Sequence, residues 1–166
     1  MISRLGFSDF TLADVARACG IAPATLLQRF GGKQGLIVAV VAHENDRLAQ
    51  IVAQAPRAVG AEAVIDLFWG LTPAQAEGAL ADELSGWTLD PQLNALARER
   101  SAMVRAAVAE RLPPLAIDAA TAARLLEAQW RGALVQWSIE RQGDRADHVA
   151  DSLAAWFELA RPRAVT

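Results

Sequence analysis

Between Thr11 and Cys19 the stretch TLADVARAC sets Leu12, Val15, Ala16 and Cys19 on one face of a helical wheel. Thr11 followed by Asp14 is a start signal, because a threonine hydroxyl there accepts from an amide that the first helical turn leaves unpaired. Gly20 comes next and suits the left-handed conformation that ends helices. Pro23 opens a second helix at a position where its missing N–H would have no partner anyway. Leu26 and Phe30 share the inner face of that helix, and Gly31-Gly32 stops it. A longer helix follows from about Lys33 to Ala55, with Ile37, Val41, Leu48 and Ile51 on one side. Two short helices joined by a three-residue turn predict a helix-turn-helix.

Beyond Pro56 the pattern stays helical, punctuated by proline, glycine and aspartate. It predicts helices over Ala61 to Leu71, over Pro73 to Ser85, and from Asp90-Pro91 to Leu112, where Pro113-Pro114 intervenes. Asp118 caps a further helix reaching about Arg141, and Asp144 or Arg145 begins the last, which ends before Pro162. The expected architecture is all-α, with a helix-turn-helix domain over residues 1–42 and a helical bundle over residues 43–166. There is no internal repeat, low-complexity linker or glycine-rich phosphate loop.

Composition narrows the class. Of 166 residues, 53% are hydrophobic and 21% charged, enough to bury a core and unlike a disordered tail. The longest apolar run, Leu36 to Ala42, is far short of the ~20 residues of a membrane span. The N-terminus MISRLGFSDF has no apolar signal-peptide core, so a soluble, cytoplasmic protein is expected. The single cysteine excludes an internal disulfide framework, and its place on the apolar stripe predicts a small core residue. The net charge of −3 hides an asymmetry. Residues 1–42 carry four basic and two acidic side chains, against twelve and seventeen in the remainder. A difference of that kind suggests different partners for the two parts.

If Leu26 and Phe30 face inward, the opposite face of the second short helix carries Ala24 and Gln28, flanked by Thr25 and Leu27. Small and amide side chains can approach the floor of a DNA major groove, and Gln28 can both donate to and accept from adenine. Thr25 can reach a base or a phosphate, and Lys33 stands where the next helix begins, suited to a phosphate. Spacing alone fits equally well with ordinary solvent-facing residues on a structural hairpin.

The segment GFSDFTLADVARACGIAPATLLQRFGGKQGL, Gly6 to Leu36, resembles the DNA-binding domain of tetracycline-repressor-like (TetR) transcriptional regulators. The matching features are Gly6-Phe7, Thr11, Val15-Ala16, Gly20-Ile21, Thr25-Leu26, Phe30, and Lys33 with Leu36. The resemblance implies a homodimer that binds a pseudo-palindromic double-stranded operator, usually as a repressor, and lets go when a small ligand enters the C-terminal domain. It needs no cofactor. The expected DNA contacts are Thr11, Ala24, Thr25, Leu27, Gln28, Arg29 and Lys33. Two departures stand out. Where the family commonly has a phosphate-touching tyrosine this chain has Leu27, and the guanidinium of Arg29 is the candidate replacement. Only Met1 to Leu5 stand in place of the family's first helix. An upstream start, a loosened domain, or a chain that kept sensing and lost DNA binding would each account for that.

All five tryptophans lie beyond residue 68. Trp69, Trp87, Trp130 and Trp137, with Arg100, Met103 and Gln129, are candidates to frame a cavity for an apolar or aromatic effector with one polar handle. Core or dimer packing is the competing explanation. The stripe Val149, Leu153, Trp156 and Phe157, with Gly132 on the preceding helix, is the candidate dimer interface, unless the stripe packs inside the chain. Enzyme readings find little support. His43-Glu44 lacks the second histidine of a zinc-protease helix, no cysteine or histidine cluster suits a metal, and no catalytic residue is assigned. The alternative to a regulator is a helical ligand-binding or scaffolding dimer without DNA affinity.

Overall fold

The computed structural model describes residues 10–72 and 90–162, in which seven helices and no strand form. They are α1 (Leu12–Cys19), α2 (Pro23–Phe30), α3 (Lys33–Gln54), α4 (Ala61–Leu71), α5 (Pro91–Ala109), α6 (Ala119–Glu140) and α7 (Arg145–Ala160). The all-α fold with an N-terminal helix-turn-helix is as the sequence predicts. The helix expected over Pro73 to Ser85 and the fragment Met1 to Leu5 lie outside the described residues.

The chain divides into two compact units, with the division falling after Leu48 inside α3 and after Arg100 inside α5. The first unit is built on the core that α1 and α2 cannot bury alone. Phe10, Val15, Ala16, Leu26, Leu36, Ile37, Val41 and Leu93 form it, with Leu12, Phe30, Leu96 and Ala97 packed against it. The caps are local chemistry. Thr11 Oγ1 accepts from the Asp14 amide while the Thr11 amide donates to Asp14 Oδ2, satisfying both partners of the capping box. Asp90 performs the same task for α5, accepting from the amides of Gln92 and Leu93, and also takes a 2.6 Å hydrogen bond from Gln34. Deeper in the unit Asn45 is buried, and its amide donates to the Leu96 carbonyl at 2.9 Å, tying α3 to α5.

The second unit packs α4 and α7 against each other and α7 along α6. Val64, Phe68, Val104, Val108, Leu126 and Leu153 are its fully buried aliphatic and aromatic side chains. Asp118 and Asp144 cap α6 and α7 as the sequence predicts, and Arg141 ends α6 in the left-handed conformation. Two polar groups lie inside. Arg111, only 2% exposed, donates to the carbonyls of Ala55 and Pro56, just past the end of α3, and of Ala107, in the last turn of α5. Those carbonyls are helix C-terminal orphans, so the cation meets the negative end of two helices without a carboxylate. Glu127 on α6 is buried too, accepting from Ser101 at 2.7 Å and pairing with Arg131 and Arg105.

Candidate nucleic-acid interface

The turn between α1 and α2 is closed by the backbone. Gly20, at φ 68°, donates to Arg17, and the Ile21 amide reaches the Ala16 carbonyl at 3.0 Å. The left-handed angle suits glycine, so the Gly20-Ile21 pair follows from the turn's geometry. Pro23 occupies the first turn of α2, and Gly31, at φ 72°, ends it with a hydrogen bond to the Leu27 carbonyl. Gly35 follows in the first turn of α3, where an added Cβ would run into the Phe30 carbonyl.

Within α2 a single turn separates inside from outside. Leu26 is 5% exposed and Phe30 half-buried, whereas Ala24, Thr25, Leu27, Gln28 and Arg29 all face solvent. The face expected to read DNA is therefore uncovered. Arg29 lies over the Phe30 ring at 5.5 Å, and Lys33 over the Phe10 ring at 4.6 Å, which directs both cations along the edge of the unit. Helix α2 carries no acidic residue in its first turn and Arg29 in its last. Thr11 is exposed, with its hydroxyl engaged by Asp14. The Asp14 carboxyl is held below the usual carboxylate range, first by the Thr11 hydroxyl, then by the Thr11 amide and by Arg17.

Cys19 is corrected. It is exposed, because α1 ends at Cys19 and the buried stripe is centred one turn earlier on Val15 and Ala16.

The residues expected to frame a ligand cavity do not share one setting. Trp130 belongs to the core, its ring stacked on Phe68 at 5.1 Å and its N–H donated to Thr72 Oγ1. Trp137 donates to the Gly143 carbonyl and lies beneath Arg145. Trp69 is half exposed, Gln129 is tied to Ser152, and Met103 is partly buried. Arg100 belongs to the other unit, and Trp87 lies outside the described residues. A cavity of about 210 Å³ in the second unit is lined by Ile51, Ala55, Pro56, Ala58, Glu62, Ala63, Asp66, Leu67 and Gly70, and by none of these tryptophans. Neither periodicity nor composition marks those small residues as a wall.

The expected dimer stripe also needs correction. Val149, Leu153 and Phe157 are 3%, 0% and 3% exposed within the single chain, which leaves them no surface for a partner. The stripe packs inside, against α4 and α6. Trp156 is half-buried against Phe157. Gly132 does lie on an open face, where a Cβ would touch nothing within 4 Å. Along the same helix α6 exposes Leu125, Ala128, Val135 and Ile139.

Comparison with known proteins agrees with this geometry. Residues 1–40 match the sequence profile of the family described as bacterial regulatory proteins, tetR family. No curated protein sequence matches the chain. Among solved structures the fold is similar to a TetR transcriptional regulator from Legionella pneumophila, with a TM-score of 0.72 and 16% identity over 93% of this chain and 90% of that one. It is also similar to GusR of Salmonella enterica, with a TM-score of 0.66 and 19% identity over 95% and 89%. The TetR-family regulator PfmR from Thermus thermophilus matches with a TM-score of 0.60 and 18% identity over 98% and 94%.

Proposed function

We propose that the chain, whose first forty residues match the profile of the bacterial regulatory proteins of the tetR family, is a non-enzymatic transcriptional repressor. It binds a pseudo-palindromic operator as a homodimer and is released by a small-molecule effector. The observation that carries this reading is α2 itself. Its face opposite buried Leu26 is open, carries Thr25 and Gln28, and is bordered by Arg29 and Lys33. A helix presented this way suits the major groove, with cations left to the phosphates.

For the dimer, the uncovered seam Leu125, Ala128, Gly132, Val135 and Ile139 replaces the stripe that the chain buries within itself. Its alternating spacing of three and four is that of helices packed side by side, and Gly132 lets a second backbone approach closely. For the effector, the cavity beside α4 offers an apolar wall with Glu62 and Asp66 one turn apart. That lining suits a small apolar ligand whose polar handle is cationic.

Fluorescence anisotropy on DNA from upstream of its own gene, against scrambled duplex at two salt concentrations, tests the reading. Selective, salt-sensitive binding supports a regulator. Equal affinity for both duplexes leaves the alternative, a helical ligand-binding or scaffolding dimer.

A further inference from the structure

Leu27 is 54% exposed, beside a neighbour, Leu26, that is 5% exposed. It lies one helical turn beyond Pro23 and Ala24, both exposed, and Ile21 in the preceding turn is 42% exposed. Pro23, Ala24 and Leu27 share one side of α2 and make an apolar strip on the proposed reading surface, next to Gln28. A single exposed leucine is ordinary. An apolar strip on a short helix otherwise surfaced by Thr25, Gln28 and Arg29 is more specific, and the charge around it restricts what can cover it. The residues of α2 include no acid, Arg29 lies in its last turn, and Lys33 opens α3. The complement is an apolar feature set between negative charges.

Duplex DNA offers one such feature. The C5-methyl group of thymine is the only apolar group that base edges show in the major groove, and phosphates line the groove on either side. Resting on the regulator reading above, we propose that Leu27, backed by Ala24 and Pro23, reads a thymine methyl in each half-site, so that Leu27 is a specificity-determining residue. This assigns Leu27 to a base, where the family's usual residue would go to a phosphate. Gln28, adjacent on the helix, takes a neighbouring base edge by hydrogen bonding, so the two side chains read different chemistry.

The experiment uses the full chain and a duplex that it selects from a random-sequence library. Each thymine of that duplex is replaced in turn by deoxyuridine, which keeps every hydrogen-bonding group and removes only the methyl. Burying one methyl-sized group is worth ~0.8 kcal/mol, so the wild type loses about four-fold in affinity at one thymine per half-site. Leu27→Ala binds both duplexes equally at that position, while Leu27→Met and Gln28→Ala keep the difference. Because Leu27 is exposed, the variants fold, which circular dichroism checks. Equal affinity of the wild type for every thymine and deoxyuridine duplex overturns the inference alone, as does a full four-fold difference surviving in Leu27→Ala. Failure to enrich any duplex overturns the regulator reading and this inference together.

Discussion

Gly35 lies so close to the carbonyl of Phe30 that no Cβ fits between them. The obstacle is backbone, which cannot swing aside as a side chain does. Gly35→Ala should therefore lower stability by ~1–3 kcal/mol in chemical denaturation, the usual cost of overpacking. Gly70→Ala is the counterpart. Its Cβ would meet only Ile51 Cγ2 at 3.8 Å, and replacing a helical glycine should raise stability by up to ~1 kcal/mol. Effects of the same sign would show that helix propensity alone governs both positions.

Gln28 and Lys33 should fail differently. Gln28→Ala should cost ~1–3 kcal/mol on the preferred duplex and relax discrimination at one base pair. Lys33→Ala should weaken binding to all sequences alike and reduce the slope of affinity against salt by about one. Titrations on matched and mismatched duplexes at several salt concentrations separate the two; identical profiles would remove the division of labour.

The capping box of α1 makes a prediction about acid. Because Thr11 and Arg17 hold the Asp14 carboxyl below its ordinary range, folding favours its ionised form. That stabilisation is complete above the unfolded carboxylate range and is lost as pH falls through the lower folded value. Asp14→Asn keeps an acceptor for Thr11 but removes the charge. The melting temperature of the variant should trail the wild type at pH 7, and the gap should close below about pH 4, near the unperturbed aspartate value. A gap independent of pH would assign the effect to something other than charge.

Arg111 holds three carbonyls that the ends of α3 and α5 would otherwise leave buried and unpaired. Arg111→Met should cost ~3–5 kcal/mol, as expected when buried charge-assisted hydrogen bonds are broken. Arg111→Lys should fall between, since an ammonium cannot match the fan of donors on a guanidinium. Urea midpoints are the readout, and a neutral Arg111→Met would show that the carbonyls find water.

The exposed seam of α6 can be tested without touching the core. Val135→Glu should convert a dimer into a monomer by light scattering while leaving helical content unchanged, because Val135 is 36% exposed. Leu153→Glu, at a fully buried position, should instead unfold the chain. A Val135→Glu protein that stays dimeric would place the interface elsewhere.

How much of this was legible in the sequence depends on whether the cause is local. Thr11 with Asp14, Gly20, Pro23, Gly31, Asp118 and Asp144 act within a turn or two of themselves, and each helix boundary they predict is observed. Which residues of α2 face solvent was legible for the same reason, since buried Leu26 fixes what lies opposite. Periodicity identifies an apolar face but not what covers it. Val149, Leu153 and Phe157 therefore read equally well as interface or interior, and the structure places them inside. Arg111, Glu127 and Asn45 had no signal at all. Charged and amide residues read as surface until tertiary contacts supply their partners, and each of these has at least one partner more than 25 residues away. Cys19 failed through the shortness of α1, whose last residue has already left the core.

That outward-facing thiol is the sole one in 166 residues. A maleimide dye or nitroxide attaches to each polypeptide at one defined place, two residues before Ile21, with no engineering. If two copies bind one duplex as proposed, the labels give a single spectroscopic ruler between them. The same chemistry has a cost in the test tube: air oxidation can stitch molecules together through Cys19, a covalent linkage unrelated to the α6 seam. Reductant during storage decides which of the two a sizing column reports.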